Sequence, residues 1–280
     1  MPQFETDDNV TIVYHDLGSP DGIPVVFAHG LASSAEQHIA DAEYFASRGY
    51  RVLVPDARGH GRSGKPRRMT VAAFTIARTA SDLAQMLDHA EIGPVHWVGN
   101  SLGGILGLEL LGRADHRLRT FATFGTTYSL CLPRFAAYAI PLTYTLFGAR
   151  FYACLAGRGM SRDPAAQHLI ASVVANWNPE VGRLASHNLA NFDLIANAVA
   201  ACLPILMLRG GEDAQINITL GPTLRAMRTS PNFTLVHLPK AGHCANLDAT
   251  DEVRDELERF WQQSARSGHS RLAVAPEPKR

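Results

Sequence analysis

Ser101 lies in Gly99-Asn100-Ser101-Leu102-Gly103, directly after the apolar run VHWV. The pattern G-x-S-x-G between a strand and a helix holds a serine in a strained turn, where larger flanking side chains would collide with the neighbouring elements. The hydroxyl then stands clear of the sheet edge, beside backbone N–H groups and a helix N-terminus that favour developing negative charge. A glycine-rich turn with an incidental serine fits the same letters, so the motif alone leaves both readings open.

A serine at its ordinary pKa is a poor nucleophile and needs a base. Of twelve histidines, His243 stands out: it lies in KAGHCANLD, a turn-rich loop after the last predicted strand and before the last helix. His89, His116 and His168 fall on helical patterns, His15, His96 and His237 on strands, and His269 near the end of the chain. The third member must be a carboxylate that orients the imidazole and stabilises its cation. Asp213, in GGEDAQI just after the run PILMLRG, is positioned for this, with Glu212 as its competitor. Ser, Asp and His occur in that chain order, each after a strand, at the sheet edge where open α/β sheets carry their sites. His29-Gly30-Leu31 follows the run VVFAH, and the N–H groups of Leu31 and Leu102 could together form an oxyanion hole. His29 is expected to hold that loop by hydrogen bonds.

The elements that must hold these residues follow from short β-branched runs alternating with helical patterns. Strands are expected at 10–17, 25–29, 51–56, 95–100, 118–124, 204–210 and 233–238, with helices between them. That order predicts an α/β fold: a mostly parallel central sheet flanked by helices. Between 126 and 201 only helical signals occur, among them Asp163-Pro164 and Asn178-Pro179, each a cap followed by proline at the first helical position. The expected organisation is a core of 1–125 and 202–264, an all-helical cap inserted at 126–201, and a disordered tail at 265–280.

Composition narrows the partners. The chain has 280 residues, 46% hydrophobic, enough for a large core, and its 26 basic and 26 acidic residues cancel. Nothing global therefore points to nucleic acid or an anionic membrane. The longest uncharged aromatic run, 135–149, is shorter than the ~20 residues of a spanning helix and contains proline, so no stable membrane insertion is expected. Cys131, Cys154, Cys202 and Cys244 form no CxxC pair and are expected reduced, three of them as buried thiols. The start MPQFETDDNV carries no secretion signal, which makes the cytoplasm the expected compartment. No metal or other cofactor is called for, and a monomer or homodimer is expected.

Taken in order, HGLASS, DARGHGRSGKP, GNSLGG, GGED and AGHCANLD resemble the α/β-hydrolase superfamily across residues 29–248. The resemblance implies Ser101 as nucleophile, His243 as general base and acid, Asp213 as its partner, Leu31 and Leu102 as oxyanion donors, and 126–201 as a helical cap. Asp56, Arg58, His60 and Ser63 match a family loop that is usually structural. Ser101 argues against haloalkane dehalogenases and epoxide hydrolases, which carry aspartate there. LASSAEQH lacks the glycine- and proline-rich stretch of the carbon-carbon bond hydrolases, and Leu31 replaces the aromatic usual in perhydrolases. By elimination the resemblance implies a carboxylesterase or enol-lactonase-like enzyme. Carbon-carbon bond hydrolysis of a dienoic keto acid, or a receptor without turnover, are the alternatives.

The aromatics of the insertion, with Tyr128, Phe135, Tyr138 and Phe147 foremost, either pack the cap onto the core or line an apolar pocket. The second use implies an apolar ester or lactone as substrate. Arg134 and Arg150 in the same stretch leave room for a carboxylate-bearing one.

Overall fold

The computed structural model describes residues 1–113, 117–133 and 139–272, without the side chains of 139–145, 147 and 267–272. Its strands are β1 (Gln3–Glu5), β2 (Thr11–Leu17), β3 (Ile23–Ala28), β4 (Tyr50–Pro55), β5 (Val95–Asn100), β6 (Leu118–Phe124), β7 (Ser129–Cys131), β8 (Asn191–Asp193), β9 (Ile205–Gly210) and β10 (Phe233–Leu238). Eight of them form one sheet in the order β1-β2-β4-β3-β5-β6-β9-β10. Only β1/β2 and β2/β4 pair antiparallel; the rest of the sheet is parallel. The expected mostly parallel α/β sheet is present.

The helices are α1 (Ile39–Ala46), α2 (Ile76–His89), α3 (Leu102–Leu111), α4 (Ala139–Met160), α5 (Pro164–Ala175), α6 (Pro179–Leu189), α7 (Ile195–Ala200), α8 (Ala214–Asn217), α9 (Gly221–Met227), α10 (Ala245–Asp248) and α11 (Thr250–Leu272). Side-chain alternation along β3 divides the core into two layers. Val26 and Ala28 join Leu83, Leu87, Trp97 and Leu106 on the face covered by α2 and α3. Val25 and Phe27 join Phe45, Leu257 and Trp261 on the face covered by α1 and α11. Each large aliphatic or phenylalanine side chain so buried contributes roughly 1.5–3 kcal/mol of transfer free energy. β5 is buried along its whole length, which fixes the strand that ends at Ser101 in the middle of the sheet.

The inserted segment between β6 and β9 departs from the all-helical expectation. β7 and β8 pair antiparallel, Leu130 opposite Phe192, and so tie the two ends of the segment together. Between them, α5 and α6 start at the expected prolines. Asp163 Oδ1 accepts from Ala166 N at 2.8 Å, and Asn178 Oδ1 from Glu180 N at 2.9 Å. α4 is broken at Gly148, whose φ of 81° lies in the left-handed region open to glycine. The final helix continues to Leu272, past the expected end near 265, and residues 273–280 lie outside those described. The four thiols are unpaired as expected, but three of them, Cys131, Cys154 and Cys202, are exposed and only Cys244 is buried. Apolar neighbours in sequence did not bury them, because they sit at a short strand and at outward-facing helix and loop positions. Among the described residues no helix is long and apolar enough to cross a membrane.

Candidate active site

The chain turns at Ser101 with φ 50° and ψ −113°, a region that a residue with a side chain rarely enters. Close packing on both sides enforces the turn. A methyl group on Gly103 would lie 2.0 Å from the carbonyl oxygen of Ala28, and one on Gly99 2.3 Å from the nitrogen of Gly104. Trp97 Nε1 donates to the Gly103 carbonyl at 3.0 Å, and Ser101 N donates to the Phe124 carbonyl at 3.1 Å, so strand and helix meet at a fixed angle. Ser101 precedes Leu102, the first residue of α3, whose leading N–H groups have no partner within the helix.

His243 follows β10 and Asp213 follows β9, and the two meet. His243 Nδ1 donates to Asp213 Oδ2 at 3.0 Å, both side chains being buried. The other carboxylate oxygen of Asp213 caps α8, accepting from Ile216 N at 3.2 Å. One oxygen anchors the group while the other orients the imidazole. Glu212 points away and accepts from Arg162 Nε at 2.8 Å, so of the two neighbours it is Asp213 that meets His243. Gly30 brings the loop after β3 against the same place. A methyl there would lie 2.9 Å from Asn100 Oδ1 and 3.4 Å from Ser101 Cβ.

Beneath these loops runs a chain of buried amides that the sequence did not reveal. Asn100 Nδ2 donates to the His243 carbonyl at 3.0 Å and the Phe124 carbonyl at 3.2 Å. Its Oδ1 accepts from Gln37 Nε2 at 3.0 Å. Gln37 Oε1 in turn accepts from Ser33 Oγ at 2.9 Å, and Asn246 Nδ2 donates to the Gln37 carbonyl at 3.0 Å and to Asp41 Oδ2 at 2.8 Å. Arg254 Nε closes the chain on Asp41 Oδ1 at 2.8 Å. Serine turn, histidine loop and Gly30 loop are thus tied by side chains at most 4% exposed, except Ser33 and Arg254 at its ends.

With this geometry established, a sequence model of the alpha/beta hydrolase family matches residues 25–256. The chain belongs to this alpha/beta hydrolase family. It is similar to a non-heme chloroperoxidase of Streptomyces lividans, 40% identical over 116 residues that make up 41% of this chain and 40% of that protein. The match thus spans about two fifths of that relative's length. The fold also resembles the enol-lactonase of Burkholderia xenovorans LB400, with a TM-score of 0.81, 20% identity and coverage of 93% and 100% of the two chains. A carboxylesterase structure linked to Nitrososphaera gargenis gives 0.82 at 16% identity, covering 95% and 100%. At these identities the two structures speak for the fold alone.

The other expected residues divide. Leu31 lines a small cavity of about 20 Å³ together with Gly30, Met160, Ile170, Val174 and His243. His29 is locked in its loop: Nδ1 donates to the Gly30 carbonyl at 2.7 Å and Nε2 accepts from Ala57 N at 3.0 Å. Burial lowers its pKa to about 4, so it stays neutral. Arg58 is buried against Asp82 and Asp8, and burial brings His60 down to about 3; both serve the structure, as expected of that loop. Tyr128 corrects the pocket assignment. It is fully buried in the core, its ring 6.2 Å from Phe121 and its hydroxyl 3.3 Å from Thr123 Oγ1, and it anchors the entry of the insertion instead of lining a pocket. Phe135, Tyr138, Arg134 and the side chain of Phe147 lie outside the described residues, and Arg150 is exposed. Burial pushes the Cys244 thiol far up, away from the thiolate form that a nucleophile needs.

Proposed function

We propose that this hydrolase is a serine enzyme that cleaves carboxylic esters or lactones through an acyl-enzyme. The observation that carries the reading is the joint geometry of a strained Ser101 at the end of β5 and a His243 oriented by Asp213 at 3.0 Å. Ser101 Oγ attacks the carbonyl carbon as its proton passes to His243 Nε2, and the carbonyl π pair moves to oxygen. The N–H groups of Leu31 and Leu102 hold that oxyanion; losing one such donor costs roughly 10²–10³ in rate. The tetrahedral species collapses, the C–O bond breaks, and His243 returns the proton to the leaving alcohol. Water, deprotonated by the same imidazole, then attacks the acyl carbon and regenerates Ser101. Asp213 keeps its charge throughout and stabilises the imidazolium. The segment 126–201 serves as a cap over the site, in a cytoplasmic enzyme that needs no cofactor.

The cavity beside His243 is lined mostly by apolar groups and, at about 20 Å³, holds one small substituent. A short acyl group fits; a long chain requires the insertion to move. The reading is tested with a fluorophosphonate and a series of p-nitrophenyl esters from acetate to octanoate beside simple lactones. The expected result is an adduct on Ser101 that Ser101→Ala lacks, and kcat/KM falling as the acyl chain lengthens. No adduct and no turnover of any ester or lactone would overturn it. Turnover confined to a dienoic keto acid would favour carbon-carbon bond cleavage, and ligand affinity without turnover would favour a receptor.

A further inference from the structure

A second, larger cleft of about 350 Å³ opens between the insertion and the core, and it shares Ser33 and Val173 with the small cavity at His243. We propose that this cleft receives the alcohol half of the substrate and that this half is an aromatic or similarly sized group bearing a carboxylate, bound by Lys65. The inference rests on the serine-hydrolase reading above and adds the chemistry of the leaving group.

Three observations carry it. The two spaces share Ser33 and Val173 in their walls and so lie side by side, which lets a molecule with a small acyl group against His243 reach with its other half toward the larger cleft. The two linings differ in character: Leu31, Met160, Ile170 and Val174 surround the small one, whereas Ser33, Lys65, Asn176 and Asn178 face the large one. Its apolar wall is made by Val173 and the edge of the largely buried Trp177, against which a ring can lie. Its volume lies at the lower end of the range for small-ligand sites.

The charge is the third. Residues 62–68, RSGKPRR, carry four cations and no acid in a chain whose total charge is zero. Several surface arginines elsewhere are paired with acids, Arg51 with Asp16, Arg162 with Glu212 and Arg183 with Glu180 among them. Among the described residues Lys65, Arg67 and Arg68 form no ion pair, and Lys65 lines the cleft. The acid on the cleft wall, Glu36, lies 4.0 Å from Arg62 Nη2 and is partly compensated by it. An uncompensated cationic rim beside a polar cleft attracts an anion and supplies charge-assisted donors for its oxygens.

The test compares 4-acetoxybenzoate with its methyl ester, which share the acetyl group and the ring and differ in the carboxylate. Wild-type enzyme is expected to favour the anion in kcat/KM, through KM, with the preference shrinking as salt rises. Lys65→Ala should reduce the anion-to-ester ratio roughly five-fold and Lys65→Glu further, while Arg48→Ala, a cation remote from the cleft, leaves the ratio as it was. An equal ratio in wild type and Lys65→Ala, or a wild-type preference for the methyl ester, would overturn the proposal. If neither ester turns over, the hydrolase reading fails instead. Calorimetric titration with 4-hydroxybenzoate then still decides the cleft: binding weakened by Lys65→Ala supports it, and binding unaffected or absent sinks it.

Discussion

The two halves of the site are held in different ways. On the core side, Ser101, His243 and the Gly30 loop are joined by buried amide hydrogen bonds through Asn100, Gln37 and Asn246, each side chain using several of its donors and acceptors. On the side of the insertion, α5 and α6 rest on small apolar clusters, Ile170, Val174 and Trp177 in one and Val181 and Leu184 in another. A few polar clamps add to these: Asn188 Nδ2 to the Val71 and Phe74 carbonyls, Cys244 N to the Met160 carbonyl, and the exposed pair Arg162–Glu212. Buried, mutually satisfied polar networks specify one geometry, whereas apolar contacts tolerate sliding and repacking. The core half is therefore suited to fix the reacting atoms, and the insertion to adjust to what is bound.

The largest effect expected from breaking this division comes at the carboxylate pair. Asp213→Asn keeps the shape but removes the charge and presents a donor where His243 Nδ1 already donates, so the wrong tautomer is favoured. A fall of roughly 10³–10⁴ in kcat is expected, against less than about two-fold for Glu212→Gln, whose partner is the exposed Arg162. Steady-state kinetics with p-nitrophenyl acetate checks both, and equal losses in the two variants would show that Asp213 is not the orienting group.

A smaller effect separates the two kinds of clamp. Asn100→Ala removes the donor that ties the His243 carbonyl to the serine turn and strands the amide of Gln37, so kcat should fall roughly 10- to 100-fold, a loss typical of misplaced catalytic groups. Asn188→Ala, which frees two carbonyls at the insertion, should cost about 1–2 kcal/mol of stability and alter KM more than kcat. Stopped-assay kinetics beside urea unfolding distinguishes the outcomes. If Asn188→Ala lowers kcat as much as Asn100→Ala does, the insertion positions the reacting atoms too.

What was legible in the sequence follows the same division. β5 and β6 are read to the residue from short runs rich in β-branched and aromatic residues, bounded by turn residues. Ser101, Asp213 and His243 stand out because each follows such a strand in a turn. β7 and β8 escape because three residues show no period and their partners lie sixty residues apart. Gln37 and Asn246 escape because a buried amide in a short helical turn reads like a solvated one until the fold brings Asn100 to it. Tyr128 misleads for a related reason: an aromatic at the root of an insertion has the same letter whether it anchors the segment or faces a ligand.

The remaining effect, on stability and not on turnover, returns to the core. His29, His60 and His96 are held neutral by burial, with pKa values lowered to about 4, about 3 and about 3. Unfolded, each takes up a proton near pH 6.5, which the folded chain refuses until much lower pH. Their contribution is therefore complete above about 6.5 and is progressively lost as pH falls toward 4; at pH 5 each costs about 2 kcal/mol. Carboxylates with lowered pKa values, such as Asp8 beside Arg58, act below this window, since their protons bind only near pH 4 and under. The urea midpoint should accordingly drop between pH 7 and pH 5. In His60→Gln, where one of the three titrations is gone, the drop should be smaller by about 2 kcal/mol even though the variant starts less stable. A drop of unchanged size would mean that His60 is protonated in the folded core, with Nε2, which has no hydrogen-bond partner among the described residues, carrying a charge next to Trp177.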